Sequence, residues 1–282
     1  MAKKITCPAP AKINHFLHVT GKRDDGYHFI QTLFQFIDFN DELTFTMDST
    51  LSLKQLSSTY IIPDTDNLIV RAAQLLQQHT GCQLGATITM DKHIPIGGGL
   101  GSGSSNAATT LLPLNQLWAL KLSDHELMTL GRQLGADVPI FIHGHTAFAQ
   151  GIGDELHSTS TPEQWCVLII PRKTQVLTQK AFNNPDLPRN TPAITPHQYQ
   201  SGYGHNDFEA LIRSAYPEID HAMHWLSQYG QAKLSGTGSC VFTTFDTEKK
   251  AGRIAELAAC EFDVILARTM NQSSAKITLC HN

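Results

Sequence analysis

The chain has 282 residues, of which 41% are hydrophobic and 16% charged, and a formal net charge of −4 at pH 7. That length holds two compact domains, or one large one, with a well-buried core, and the composition excludes a disordered chain. The mildly acidic balance, with no long Lys/Arg run, argues against nucleic acid as a partner. It leaves room for a nucleotide, whose phosphates a few cations and backbone N–H groups can hold.

The N-terminus, Met1-Ala2-Lys3-Lys4-Ile5-Thr6, has no apolar signal stretch. Nowhere does an apolar run approach the roughly 20 residues that span a bilayer, so the expectation is a cytoplasmic protein with no membrane partner. A strand is predicted over Ala11–Thr20, then a turn at Lys22–Gly26 and a strand-rich run over Phe29–Phe39. Leu43, Phe45 and Met47 alternate with Thr44 and Thr46, the period of another strand. Asn67–Thr80 reads as a helix capped by Asn67, with Leu68, Ala72, Leu75 and Leu76 as its apolar stripe and Gly81 as its stop. Ala86, Ile88 and Met90 mark a half-buried strand. A glycine-rich loop follows at once, then a helix from about Ser104–Asn106 through Ala107, Ala108, Leu111 and Leu112, which Pro113 should kink or shorten. Ser123 and Glu126 form a capping box for a helix over Ser123–Gly135.

Polar and glycine residues then accumulate, and we place a domain boundary there, giving domains 1–158 and 159–282. The second half reads as strand (Trp165–Pro171), loop (Asn183–Tyr203), helix (Asp207–Tyr229) and strand–glycine turn–strand (Ala232–Phe245). A helix (Thr247–Ala259) and two strands (Asp263–Arg268, Ala275–Leu279) complete a smaller α+β sandwich. The six cysteines are scattered without a C-x-x-C pair, which predicts reduced thiols and opposes a zinc site. His143 and His145 flank Gly144 with no carboxylate motif nearby and read as ordinary loop or strand histidines.

The strongest feature is Pro95-Ile96-Gly97-Gly98-Gly99-Leu100-Gly101-Ser102-Gly103-Ser104-Ser105. Glycine at every second position from 97 to 103 permits positive φ and close approach of the backbone to a ligand. Set between a strand and a helix, the loop would aim its N–H groups and the helix dipole at one anion. No lysine follows the glycines, so this is not a Walker loop, and G-x-G-x-x-G fails in every register. A flexible Gly/Ser linker is the bland alternative; the alternating strand before it and the alanine-leucine helix after it oppose that.

This loop resembles the second motif of the GHMP kinases, the family of galactokinase, homoserine kinase and mevalonate kinase. Pro8-Ala9-Pro10-Ala11-Lys12-Ile13-Asn14 resembles the N-terminal motif, and Lys233-Leu234-Ser235-Gly236-Thr237-Gly238-Ser239 the third. The likeness covers the whole chain in the expected order. It implies a two-domain α+β fold, with a ribosomal-protein-S5-domain-2-like first domain and a ferredoxin-like second domain. It also implies ATP with Mg²⁺ as phosphoryl donor and a monomer or weak homodimer. Four further strings, Ala11–Asn14, Arg23–His28, Gly135–Pro139 and Leu187–Pro192, resemble the branch of the family that acts in the non-mevalonate isoprenoid route. That branch implies a small-molecule acceptor, the diphosphocytidyl ester of methylerythritol, phosphorylated on its 2-hydroxyl.

Asp137 lies in the rigid segment Gly135–Pro139 and is either a helix-terminal aspartate or a general base; the resemblance implies the base. Lys12 either faces solvent or reaches into a site. By resemblance it pairs with Asp137 and stabilises charge moving to the γ-phosphate. Asn14, two residues on, shares its strand face. It is either an exposed strand polar residue or a ligand for the methylerythritol end. Tyr27 and His28 offer a stacking face and directional hydrogen bonds that suit a base, or else pack a hairpin. By resemblance Phe182 covers the base's other face, Gly236 and Thr237 support the phosphates, and Asn67 and Lys92 touch adenine or ribose. Asn206-Asp207 reads as a helix cap. Some family members hold Mg²⁺ with a loop serine, here Ser105, and a following-helix glutamate. No glutamate occurs between Asp91 and Glu126, so the metal's protein ligands stay unassigned. Three rival readings remain: a kinase for another alcohol, a non-catalytic binding module sharing the first domain's fold, and an ATP-binding protein that has lost activity, which the intact Lys12 and Asp137 oppose.

Overall fold

The computed structural model describes residues 3–56, 63, 66–172 and 174–280. Two long antiparallel strands open the chain, β1 (Lys4–Lys22) and β2 (His28–Asp48). The two runs read separately in the second strand's sequence are one strand. The register shifts at Pro10/Ala11, opposite Asn40, so the ladder bends without ending. This bend sets Lys12 opposite Phe36 and Asn14 opposite Phe34.

β3 (Ser52–Gln55) runs parallel to β4 (Gly85–Asp91), and β4 pairs with β2. Between them lies α1 (Leu68–Thr80), whose first turn is capped by the Asn67 side chain and whose end is Gly81 at φ 70°. Its buried face is Ile69, Ala72, Ala73 and Leu76. Leu68 and Leu75, expected in the stripe, lie at its half-buried margin. After the glycine loop comes α2 (Ser102–Leu117), starting two residues before the expected Ser104. Pro113 sits inside it without ending it, because the helix carries on to Leu117. α3 (Asp124–Leu134) has the expected Ser123/Glu126 capping box. α4 (Val138–His143) is a short buried helix that the apolar run concealed. β5 (Ala147–Gln150) and β6 (Glu155–Ser158) form a hairpin on β2.

β7 (Trp165–Ile170) is an apolar run fully buried from Cys166 to Ile169, as a strand covered on both faces must be. The Pro/Asn/Thr-rich stretch after it contains α5 (Thr178–Phe182) and α6 (Pro196–Gln200). The single helix expected over Asp207–Tyr229 is two, α7 (Glu209–Ala215) and α8 (Pro217–Ser227), since Tyr216 is extended before Pro217. β8 (Lys233–Leu234), β9 (Val241–Phe245), α9 (Glu248–Ala259) and β10 (Asp263–Met270) follow. Ala275–Leu279, expected as a strand, lies in α10 (Ser274–Cys280). The order β10-β7-β9-β8, with α8 and α9 packed on the sheet, is the ferredoxin-like arrangement.

The halves are not separate sheets. Thr269 and Met270 of β10 pair with Ile37 and Phe36 of β2. Beyond β10, Asn271 accepts from the Thr146 N–H, Ser273 donates its N–H to Gly144, and α10 packs on β1. A buried cluster of Ala11, Ile13 and Ile37 from the first half with Leu168, Phe242 and Ala267 from the second fills the join. Among the described residues no helix is long and apolar enough to cross a membrane.

Candidate active site

Gly97, Gly99 and Gly101 all adopt the left-handed conformation, at φ 74°, 73° and 74°, which residues with a Cβ resist. Space demands glycine as well. A Cβ on Gly101 would lie 2.7 Å from the Phe141 ring and 3.1 Å from Lys12 Cε, and one on Gly99 would collide with the Ser235 carbonyl. The loop is fastened from the second half. Ser239 N donates to Gly97 O at 3.2 Å, Cys240 N to Gly98 O at 3.1 Å, and Ser235 Oγ to Gly99 O at 2.9 Å. Gly101 then starts α2 with no side-chain cap, leaving the first-turn N–H groups for a ligand. A cleft of about 470 Å³ is lined by Pro95–Ser104, and also by Lys12, Asn14, Asn67, Lys92, Asp137, Phe182, Gly236 and Thr237.

Lys12 points inward. Its ammonium lies 3.3 Å from Asp137 Oδ2, with the lysine side chain 4% exposed and the aspartate 31%. It also donates to Asn14 Oδ1 at 2.6 Å and Gly99 O at 3.0 Å, and sits 5.3 Å from the centre of the Phe34 ring. Asp137 is the N-cap residue of α4, yet its side chain makes no capping bond, so the carboxylate faces the cleft uncommitted to the helix. Asn14 is committed at both ends, because its Nδ2 donates to Thr32 Oγ1 at 2.9 Å. It holds Lys12 as much as it lines the cleft.

Asn67 spends its Oδ1 on the Ile69 N–H, while its Nδ2 is buried with no partner among the described residues. That is a donor waiting for an acceptor on the cleft wall. Lys92 is placed differently from the expectation of a free adenine or ribose contact. Its ammonium forms a buried ion pair with Asp41 at 2.6 Å, the side chains being 1% and 0% exposed, and it also donates to Ser102 Oγ and Ile94 O. Burial pulls the Lys92 pKa down, and Asp41 opposes that pull. Asp41 also accepts the His93 and Ile94 N–H groups at 2.7 and 2.8 Å. The pair braces the entry of the loop from beneath, with Lys92 on the cleft wall and its ammonium committed to Asp41, Ile94 and Ser102. Asp41 escaped sequence reading; an Asn-Asp pair interrupting an otherwise apolar strand was the available signal.

Ser105 does not line the cleft, whereas Ser102 and Ser104 do. Its Oγ is fully buried and unpartnered. Glu126, the first glutamate after the loop, is occupied in its capping box. Among the described residues no cluster of three His, Cys, Asp or Glu could cage a metal. Among the described residues the carboxylates on the cleft are Asp66 and Asp137. That donor set suits a Mg²⁺ carried on phosphate oxygens better than one resident in a protein cage.

A second cavity, about 440 Å³, opens beside the first and shares Ile30, Ala136, Ile152, Thr178 and Phe182 with it. Asp25, Gly26, Tyr27, His28, Gln179 and Asn183 complete it. Tyr27 is 58% exposed, a ring with a free face. His28 is buried with its ring centre 5.3 Å from that of Phe182. Phe182 is in turn held edge-on by Phe208 at 4.8 Å. Burial lowers the His28 pKa, helped by Arg189 and Lys22. Thr237 and Thr178 hydroxyls meet at 3.2 Å. Asn206 does more than cap: it precedes the N-cap position of α7, Phe208, and its Oδ1 accepts the Phe208 N–H at 3.0 Å. Its Nδ2 donates to Leu234 O at 2.9 Å and Gly236 O at 2.8 Å, fixing the second glycine turn. Ser235 and Arg189 lie in strings that resemble the family and Asn206 in an expected helix cap, but sequence reading gave none of them, nor Thr178, these roles.

A phosphate-shaped glycine loop, a buried lysine paired with a half-buried aspartate, and a docked second glycine turn define a phosphotransferase. The family models for the GHMP kinase N-terminal and C-terminal domains match residues 67–145 and 180–262, and the chain belongs to the GHMP kinase family. Membership implies ATP as the phosphoryl donor. A protein of Aliivibrio fischeri (strain MJ11) named 4-diphosphocytidyl-2-C-methyl-D-erythritol kinase is 45% identical, over 99% of this chain and 96% of its own length. One of the same name from Shewanella sp. (strain W3-18-1) is 47% identical, over 97% and 96%. A crystal structure of 4-(cytidine 5′-diphospho)-2C-methyl-D-erythritol kinase superimposes with a TM-score of 0.80 at 29% identity, covering 94% of this chain and 99% of that one.

Proposed function

We propose that the chain transfers the γ-phosphoryl group of ATP to the 2-hydroxyl of 4-diphosphocytidyl-2-C-methyl-D-erythritol, a step of the non-mevalonate route to isoprenoid precursors. One observation carries the reading: the Lys12–Asp137 pair lines a cleft that runs from the glycine loop into the cavity of Tyr27, His28 and Phe182. The names of the relatives support the same acceptor.

In this reading the loop N–H groups and the first turn of α2 hold the triphosphate, with Asn67 Nδ2 donating to the adenosine end and the Lys92 stem beside it. Gly236 and Thr237 close the phosphate side. Mg²⁺ bound with the nucleotide would supply charge neutralisation at the phosphate oxygens. The acceptor's cytosine lies on the Tyr27 face, with His28 at its edge and Phe182 opposite, and its methylerythritol end reaches Asn14. Asp137 accepts the proton of the attacking hydroxyl. Lys12, 3.3 Å from Asp137, stabilises negative charge as the oxygen–phosphorus bond forms and the bond to ADP breaks. We further propose domains 1–158 and 159–282, a cytoplasmic monomer or weak homodimer, and no nucleic-acid partner.

A coupled assay of ADP release tests the reading, with homoserine and mevalonate as rival acceptors and Asp137→Asn beside the native protein. Turnover with the cytidyl acceptor alone, abolished by the substitution, is expected. Turnover only with another alcohol would keep a kinase and overturn the base cavity.

A further inference from the structure

We propose that Arg189 is a positioning residue for base recognition, which holds the His28 proton on Nδ1 and so gives the Tyr27 cavity one fixed hydrogen-bond donor. The inference deepens the reading of that cavity as a cytosine site and rests on it. Arg189 lies far from the glycine loop in sequence, and nothing in the motif chemistry above uses it.

The guanidinium carries five N–H donors and no acceptor, and it does not deprotonate in proteins. All five are engaged. Nη1 donates to Pro185 O at 3.3 Å and Leu187 O at 2.9 Å, and Nη2 to Phe182 O at 3.3 Å and Asn184 O at 2.7 Å. The remaining Nε–H donates to His28 Nε2 at 3.2 Å. Four carbonyls therefore pin the group, and the fifth bond has a fixed direction. A ring nitrogen that accepts from arginine cannot carry a proton, so a neutral His28 must carry it on Nδ1. Protonating Nε2 would set an N–H against the Arg189 N–H, beside a second cation, Lys22. Asp25 and Tyr27 line the same cavity, and neither is hydrogen-bonded to the ring. The same arginine ties down the end of α5, which carries Phe182, so it sets both the edge and one wall of the cavity.

A fixed donor discriminates. Cytosine presents a ring nitrogen acceptor at N3, where uracil presents N–H. Donor against donor leaves a buried polar group unpaired and costs binding.

The test has two arms. In the first, nitrogen-15 NMR of histidine-labelled protein, with the His28 signal assigned by its loss in His28→Gln, reads the tautomer directly. A ring that is neutral at pH 7 with the proton on Nδ1, and takes up a second proton only below the ordinary histidine range, is expected. A proton on Nε2, or an ordinary histidine titration, would overturn the proposal whatever the substrate. In the second arm, the native enzyme should favour the cytidyl acceptor over its uridyl analogue by about 10-fold or more in kcat/KM. Arg189→Met should collapse that ratio to near one with the KM for ATP unchanged, and Arg189→Lys, which keeps a donor, should restore part of it. An unchanged ratio in Arg189→Met would overturn the proposal. If Arg189→Met does not fold, the native ring spectrum and the native base preference still decide. A native protein inactive on the cytidyl acceptor would sink the acceptor reading, leaving the spectrum to decide the tautomer.

Discussion

The cleft around the glycine loop and the cavity beside Tyr27 share a wall, yet they are built from different material. The first is made of main chain: three left-handed glycines, an uncapped helix start and carbonyls fastened to the 235–240 turn. The second is made of side chains, with Tyr27 and His28 from the first hairpin, Phe182 from α5 and Arg189 behind them. A main-chain site must be contiguous, because its donors come in series along the backbone. A side-chain site can draw each wall from a different part of the chain. The two should therefore respond to substitution in separate currencies, one through the nucleotide and the other through the acceptor.

The largest expected effect falls on the seam between them. Asp137→Asn should lower kcat by about 10²–10⁴-fold and leave both KM values nearly unchanged. A raised KM for ATP instead would assign the carboxylate to the phosphate cleft and blur the division. Beneath the loop, Lys92→Met strands a buried Asp41 and should cost about 3–5 kcal/mol of stability in a urea unfolding curve. Replacing Asp41 with leucine in the same chain should recover part of that loss, and no recovery would mean that Lys92 acts through the loop alone. Gly99→Ala combines positive φ with a clash against Ser235 and should cost about 2–4 kcal/mol. The loss should read out as a higher KM for ATP, with the cytidyl KM unaffected. The smallest effect belongs to the exposed ring. Tyr27→Ala should remove one stacking face, worth about 1–2 kcal/mol, and raise the cytidyl KM roughly tenfold with ATP untouched. Movement of both KM values in either of the last two variants would break the comparison.

The same contrast explains what could be read in advance. Alternating glycines between a strand and a helix are visible because geometry demands that residue type at each position. Asn67 as a cap and the Ser123/Glu126 box were likewise local matters, and they stand as expected. Lys12 and Asp137 could be named as candidates, but their 3.3 Å meeting depends on a bend in β1 and a helix, α4, that no local pattern announced. Asp41, Asn206 and Arg189 act through partners distant in sequence, 51, 28 and 161 residues away. The reading of Ala275–Leu279 as a strand failed because a short segment alternating in polarity is not enough to tell an end strand from an end helix packed on β1.

The return of the chain's end to its beginning has a consequence for how the cleft works. β10 hydrogen-bonds to β2, the segment after it laces into residues 144–146, and α10 lies on β1. The polypeptide thus closes on itself like a buckled belt. A clamshell motion that widened the cleft would have to unzip that ladder and expose the apolar cluster between Ile13 and Phe242. By the same token, a protein cut once near residue 160 would not fall into two parts; the buckle would hold the pieces together, cleft included.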